Sequence, residues 1–163
     1  MEFKLENLIR ENLRNLKPYT SLRDSQNFDA PVFLEANKNP YGEYNRYPDS
    51  TQKKLKEKLS ELKNINTENL FIGNGSDELI DLIIKAFCKP KKDEILVMNP
   101  SFVMYSFYAK INDNKVNALE LDENFQINKE DFLQKIQNEN LKVLFLCSPN
   151  NPTGNELVDL EFF

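Results

Sequence analysis

Apolar residues recur along this chain in two different rhythms. Over residues 2–16 they fall at Phe3, Leu5, Leu8, Ile9, Leu13 and Leu16 with charges between them, a spacing that predicts an amphipathic helix. Pro18 ends it, because proline removes a backbone donor and clashes with the preceding turn. Residues 19–49 are rich in Asn, Asp and Pro and read as an irregular arm, with one short extended piece at Val32-Phe33-Leu34. An irregular run of that length is uncommon in a domain unless it is functional or docks elsewhere. Leu55, Leu59 and Leu62 then line one face of a lysine-rich helix over residues 50–63.

From Asn69 onward the rhythm shortens. Apolar runs at 70–72, 95–98, 116–121 and 143–147 predict strands, and helical patterns lie between them at 77–88, 102–112 and 129–137. Strands alternating with helices predict βαβ units and an α/β fold with a mainly parallel sheet. The unbroken run Val143-Leu144-Phe145-Leu146-Cys147 suggests a strand covered on both faces. The sequence stops at Glu161-Phe162-Phe163, in what reads as the start of another helix, so the end looks cut rather than finished.

Composition narrows the chemistry. The 163 residues include no histidine, which excludes Ser–His and Cys–His nucleophile pairs, a His general base and His-ligated zinc within this chain. Twenty-one Lys and Arg against 26 Asp and Glu give a net charge of −5, with no basic footprint for nucleic acid. Cys88 and Cys147 stand far apart in apolar stretches and read as two buried thiols rather than a disulfide framework or metal site. With no signal peptide and no apolar run long enough for a bilayer, the expectation is a soluble, cytoplasmic protein.

Three motifs fall at predicted strand ends or strand-to-helix turns. Gly73-Asn74-Gly75-Ser76-Asp77-Glu78 opens an apolar helix; its glycines allow close backbone approach, and free helix N–H groups there favour a phosphate. It lacks the Gly-Lys-Ser/Thr of a Walker A loop, and Leu79 stands where a G-x-G-x-x-G motif needs its third glycine, so an ordinary cap by Asn74 or Ser76 is the competing reading. Ser148-Pro149-Asn150-Asn151-Pro152-Thr153-Gly154 follows the last strand, where α/β sheets bind ligands, and its prolines can hold an Asn side chain ready; it also has the composition of any turn. Asn99-Pro100-Ser101-Phe102-Val103-Met104-Tyr105 offers Phe102 as an aromatic face for a planar ligand, or Phe102 and Tyr105 as core. Together they suggest a site for a flat phosphorylated ligand. A fourth stretch, Asn37 to Gly42 with Arg46-Tyr47-Pro48-Asp49, lies in the arm.

Over residues 19–155 the chain resembles the histidinol-phosphate aminotransferases, fold-type I pyridoxal-phosphate enzymes. The resemblance is carried by Leu34-Glu35-Ala36-Asn37-Lys38-Asn39-Pro40, Arg46-Tyr47-Pro48-Asp49, Gly73-Asn74-Gly75-Ser76-Asp77-Glu78, Ala86-Phe87, Pro100 to Tyr105 and Pro149-Asn150-Asn151-Pro152-Thr153-Gly154. The last of these is common to many class I/II aminotransferases, whereas Arg-Tyr-Pro-Asp with Gly-Asn-Gly-Ser-Asp-Glu narrows the match to the histidinol-phosphate branch and its near relatives.

The resemblance implies a helical arm over residues 1–49 and the first half of a parallel-sheet large domain over 50–163. It implies pyridoxal 5'-phosphate as cofactor, with Gly75, Ser76 and Asp77 cradling its phosphate, Phe102 stacked on its ring where many relatives have Tyr, and Asn151 bonded to the ring oxygen. Tyr47 would reach the cofactor phosphate of the partner subunit in a homodimer, and Tyr19 and Asn39 would approach the substrate; Lys38 stands where many relatives have Glu. The implied reaction moves an amino group between glutamate/2-oxoglutarate and histidinol phosphate/imidazole-acetol phosphate in histidine biosynthesis. The family's Schiff-base lysine, in a Ser-Lys context, is expected beyond Phe163, so no catalytic residue is assigned here and the chain alone is expected to be inactive. Alternatives are an aromatic-amino-acid aminotransferase, a threonine-phosphate decarboxylase, or, in a different class, a non-enzymatic phosphate-binding α/β module.

Overall fold

The computed structural model describes residues 4–19, 39, 41 and 49–157. The predicted extended piece at Val32–Leu34, the Tyr47 assignment and the last helix start after 157 lie outside them. The chain divides into two units, one of residues 1–15 with 73–163 and one of residues 16–72.

The smaller unit carries α2 (Lys53–Lys63) and a 3-10 turn at Thr67–Asn69. The Asp49 carboxylate accepts hydrogen bonds from the Thr51 N–H at 2.9 Å, the Thr51 hydroxyl at 2.7 Å and the Lys53 N–H at 2.8 Å. These bonds, the hydroxyl first, hold the Asp49 carboxyl at a pKa of about 2, and they satisfy amide donors at the start of α2 that have no partner within the helix.

The larger unit holds a 3-10 turn at Leu5–Asn7, α1 (Glu11–Arg14), α3 (Gly75–Phe87), β1 (Glu94–Asn99), α4 (Met104–Ile111), β2 (Lys115–Glu120), α5 (Lys129–Ile136) and β3 (Leu141–Phe145). Its strands form a parallel sheet in the order β2-β1-β3, with Ile95 opposite Val116 and Val143. The chain leaves β1 in one direction to reach β2, then crosses back past β1 to β3. Right-handed crossovers in opposite directions place their helices on opposite faces. The period of two along β1 serves both faces. Ile95 and Val97 pack with Ile80, Ile84 and Cys88 of the α3 segment and Ala109 of α4, while Leu96 and Met98 pack with Leu119, Phe132 of α5 and Leu157.

Three expectations change. The predicted N-terminal helix is broken between Leu8 and Arg10, because Arg10 is drawn to the end of α3: its N–H donates to the Ala86 carbonyl at 3.0 Å and its guanidinium to the Lys85 carbonyl at 2.9 Å. Those carbonyls lack partners within the helix, and Lys89 adds an ion pair to Glu11 at 3.1 Å. Residues 70–72 form no strand; Phe71 is largely exposed, and no described strand pairs with this run. The strand buried on both faces is β1, whereas β3 is only half-buried, because β1 alone has a neighbour on each side among the described strands. The remaining predicted strands and helices form within a few residues of their expected bounds.

Candidate functional site

Helix α3 ends six residues before β1 begins, so its C-terminus lies at the amino edge of the sheet. Thirteen helical residues and six strand residues each span about 20 Å. The start of α3 therefore comes level with the carboxyl edge, where the β1 and β3 loops also emerge. Ile80, Ile84 and Cys88 of the α3 segment share one core cluster with Ile95, Val97 and Ala109, and Phe102, Tyr105 and Phe145 pack against it.

Gly75 opens α3 at φ +78°, and its N–H donates to the Gly73 carbonyl at 3.0 Å. A positive-φ residue leading into helical ones turns successive N–H groups toward one point, the backbone shape that binds anions. A side chain at Gly75 would meet nothing within 4 Å, so the space above this turn is open. Asn74 occupies the N-cap position but makes no side-chain cap bond; instead its own N–H donates to the Glu78 carboxylate. The cap reading of this motif thus holds for position but not for chemistry. Ser76 is exposed and Asp77 half-buried in the first turn, where the helix dipole favours negative charge.

Phe102 sits half-buried between β1 and α4 and meets the Tyr105 ring edge-on at a centroid distance of 5.6 Å. Tyr105 stacks on Phe145 of β3 at 4.6 Å. Burial, and then the neighbouring Cys147 thiol, push the Tyr105 phenol up to about 12. Both aromatics of the motif are therefore core contacts, and Phe102 is also the one at the carboxyl edge. Cys147 is half-buried rather than buried, which corrects one of the two thiols; Cys88 is buried, and both are free.

The β3 loop contributes two adjacent asparagines with different fates. Asn151 is exposed, as a ligand-binding side chain needs to be. Asn150 is 2% exposed and bonded throughout. Its Oδ1 accepts from the Ser101 hydroxyl at 2.9 Å, and its Nδ2 donates to the Pro100 carbonyl at 3.0 Å and to the Thr153 hydroxyl at 2.7 Å. It ties the loop carrying Asn151 to the loop carrying Phe102. Sequence reasoning passed over Asn150, since nothing in two neighbouring asparagines tells which faces inward.

The structure thus brings Gly75, Ser76, Asp77, Phe102 and Asn151 to one edge of one sheet. Tyr19 and Asn39 belong to the other unit; Tyr19 is exposed, and the Asn39 Oδ1 accepts from the Tyr41 N–H at 3.0 Å. Tyr47 lies outside the described residues. At the opposite, amino edge the buried polar groups are structural. Asp93 accepts from the Lys89 N–H at 2.7 Å, and Glu94 accepts from Lys115 at 2.9 Å and from Asn138 at 3.0 Å. Among the described residues no helix is long and apolar enough to cross a membrane.

Comparison with known proteins places this geometry. The family described as aminotransferase class I and II matches residues 12–159. The histidinol-phosphate aminotransferase of Parabacteroides distasonis is 50% identical over 154 residues, covering 94% of this chain and 44% of that protein. That of Cytophaga hutchinsonii is 45% identical over 160 residues, covering 95% and 46%. The chain therefore spans less than half the length of the curated relatives it matches. Among solved structures, the histidinol-phosphate aminotransferase of Clostridium acetobutylicum aligns with a TM-score of 0.63 at 31% identity over 72% of this chain and 33% of its own. The enzyme of Sinorhizobium meliloti, solved with pyridoxal-5'-phosphate, shares the fold at 19% identity with a TM-score of 0.62, over 68% and 29%. With the match running through the α3 turn and both strand-end loops, this chain belongs to the class I and II aminotransferase family.

Proposed function

We propose that this chain is the N-terminal part of a histidinol-phosphate aminotransferase, supplying the arm (residues 1–49) and the first half of the cofactor-binding large domain (50–163). The complete enzyme exchanges an amino group between L-glutamate and imidazole-acetol phosphate, works as a cytoplasmic homodimer, and places Tyr47 at the cofactor phosphate of the partner subunit. The observation that carries the substrate class is the 50% identity, over nearly the whole chain, to a relative named for that activity.

The residues at the carboxyl edge fit pyridoxal phosphate. The open turn at Gly75 leaves room for a phosphate beside the first amides of α3 and the Ser76 hydroxyl. Phe102 offers a ring face backed by Tyr105, and Asn151 offers an exposed amide to a ring oxygen. When bound, the cofactor supplies the electron sink that amino-group transfer requires. The chain's own residues bind the phosphate, set the ring plane and hold the ring oxygen. The loops joined through Asn150 keep these groups in place, and the reaction's exclusion of water begins with the aromatic floor of Phe102, Tyr105 and Phe145. Tyr19 and Asn39 are assigned to the substrate side.

None of the chain's lysines follows a serine, the context in which the family's reactive lysine stands. The 163-residue chain incubated with pyridoxal phosphate, histidinol phosphate and 2-oxoglutarate is therefore expected to give no turnover and no borohydride-stable label at a single lysine. Transamination together with a specifically labelled lysine overturns this reading. Turnover of phenylalanine or tyrosine, but not histidinol phosphate, by the complete enzyme overturns the substrate assignment.

A further inference from the structure

We infer that Asn150 is a positioning residue: it is the buried link in a one-directional chain of side-chain hydrogen bonds that starts at Ser101 and locks the loops following the three described strands into a single frame under the cofactor site. The inference rests on the cofactor reading above for its consequence, but its geometry is independent of it. The Ser101 hydroxyl, after β1, donates to the Asn150 Oδ1; the Asn150 Nδ2 donates to the Thr153 hydroxyl, which donates to the Asn155 Oδ1. The Asn155 Nδ2 closes the run on the Phe125 carbonyl, in the turn after β2, at 2.7 Å. Each hydroxyl in the chain accepts or donates in the same sense along it, so each bond polarises the next.

The backbone repeats the lock. The Asn150 N–H donates to the Asn155 carbonyl at 2.8 Å, and the Gly154 N–H to the Asn150 carbonyl at 2.7 Å. Asn150 thus uses both amide hydrogens, its side-chain oxygen and both backbone groups while almost wholly buried. Only glutamine carries the same set of donors and acceptor, on a side chain one methylene longer. Aspartate offers no donor and sets a carboxylate against the Pro100 carbonyl, and alanine leaves Ser101, Thr153 and Pro100 without their partner. Because Phe102 directly follows Ser101 and Asn151 directly follows Asn150, the fixed Ser101–Asn150 pair sets the separation of the two proposed cofactor contacts.

Amide hydrogen exchange on the wild-type chain, Asn150→Ala and Ser101→Ala tests the lock directly. Loss of one such bond is expected to speed local exchange about tenfold. Asn150→Ala is expected to do so in residues 101–103, far from it in sequence, and Ser101→Ala in residues 150–155, while amides of β1 keep their protection. Exchange that stays unchanged across the gap, or rises uniformly over the sheet, overturns the proposal; Ser101→Ala, which removes a single bond, serves where Asn150→Ala does not fold. Free pyridoxal phosphate, titrated by its absorbance, reads the consequence. Asn150→Ala and Asn151→Ala are expected each to weaken binding about tenfold, and the double variant no more than either alone. Additive losses overturn the positioning role. If Phe102→Ala and Asn151→Ala leave binding unchanged, or the wild type shows none, the cofactor reading fails while the exchange result still decides the lock.

Discussion

Substitution at Gly75 isolates backbone strain from packing. Its φ of +78° lies in the region L-residues avoid, yet a Cβ there meets no atom within 4 Å, so nothing but the backbone opposes a side chain. Holding an alanine in a left-handed conformation costs ~1–2 kcal/mol. Against this, alanine restricts the unfolded chain relative to glycine, which favours folding by ~0.4–1 kcal/mol. The net expectation for Gly75→Ala is a loss of about 1 kcal/mol, or in urea, where small proteins lose roughly 1–3 kcal/mol per molar, a midpoint lower by about 0.5 M. Gly75→Asn is expected to fall between wild type and alanine, because asparagine tolerates this region, and Gly75→Val below alanine, because β-branching does not. Gly154, at φ +77° and equally open, is expected to give the same series. Urea unfolding followed by far-ultraviolet circular dichroism reads all of them. An alanine variant as stable as wild type, or a valine no worse than asparagine, refutes the strain argument and with it the view that this turn shapes the anion cradle.

Phe132 is 2% exposed and anchors α5 on Leu96, Met98 and Leu119, so Phe132→Ala is expected to cost ~3–5 kcal/mol in the same unfolding assay. Asn128 caps α5, its Oδ1 accepting from the Glu130 N–H at 2.9 Å and the Asp131 N–H at 3.1 Å; Asn128→Ala is expected to cost ~1 kcal/mol, and Asn128→Ser much less. Tyr105 is held to about 12 from an ordinary 10.0, so the folded state keeps its proton after the unfolded state has lost it. Its contribution is full below pH 10 and lost as pH rises from 10 through about 12, and phenolate absorbance is expected to show a late component that Tyr105→Phe removes. Burial, reinforced by the Asp93 charge, raises the Cys88 thiol to about 11; a thiol reagent at pH 8 is expected to label it only after unfolding, and rapid native labelling contradicts its buried placement.

The sequence by itself determined the elements that local pattern controls. The short apolar run Ile95-Leu96-Val97-Met98 and the helical spacing through Ile80 and Ile84 are properties of neighbouring residues, and they specify βαβ units without knowledge of what packs where. The glycines and prolines of the two strand-end motifs likewise announce turns from composition alone. What only the tertiary structure decided depended on partners distant in sequence. Arg10 breaks a well-patterned helix because the carbonyls at the end of α3, 75 residues away, compete for its donors. The run at 70–72 has strand composition but forms no strand, and a strand exists only through pairing. Burial passed to β1 rather than β3 because strand order, not hydrophobicity, sets which strand is central. The division of labour between Asn150 and Asn151 is the sharpest instance. The two side chains are chemically identical and adjacent, and only the approach of Ser101 and Pro100 from another loop makes one a buried tie and leaves the other exposed.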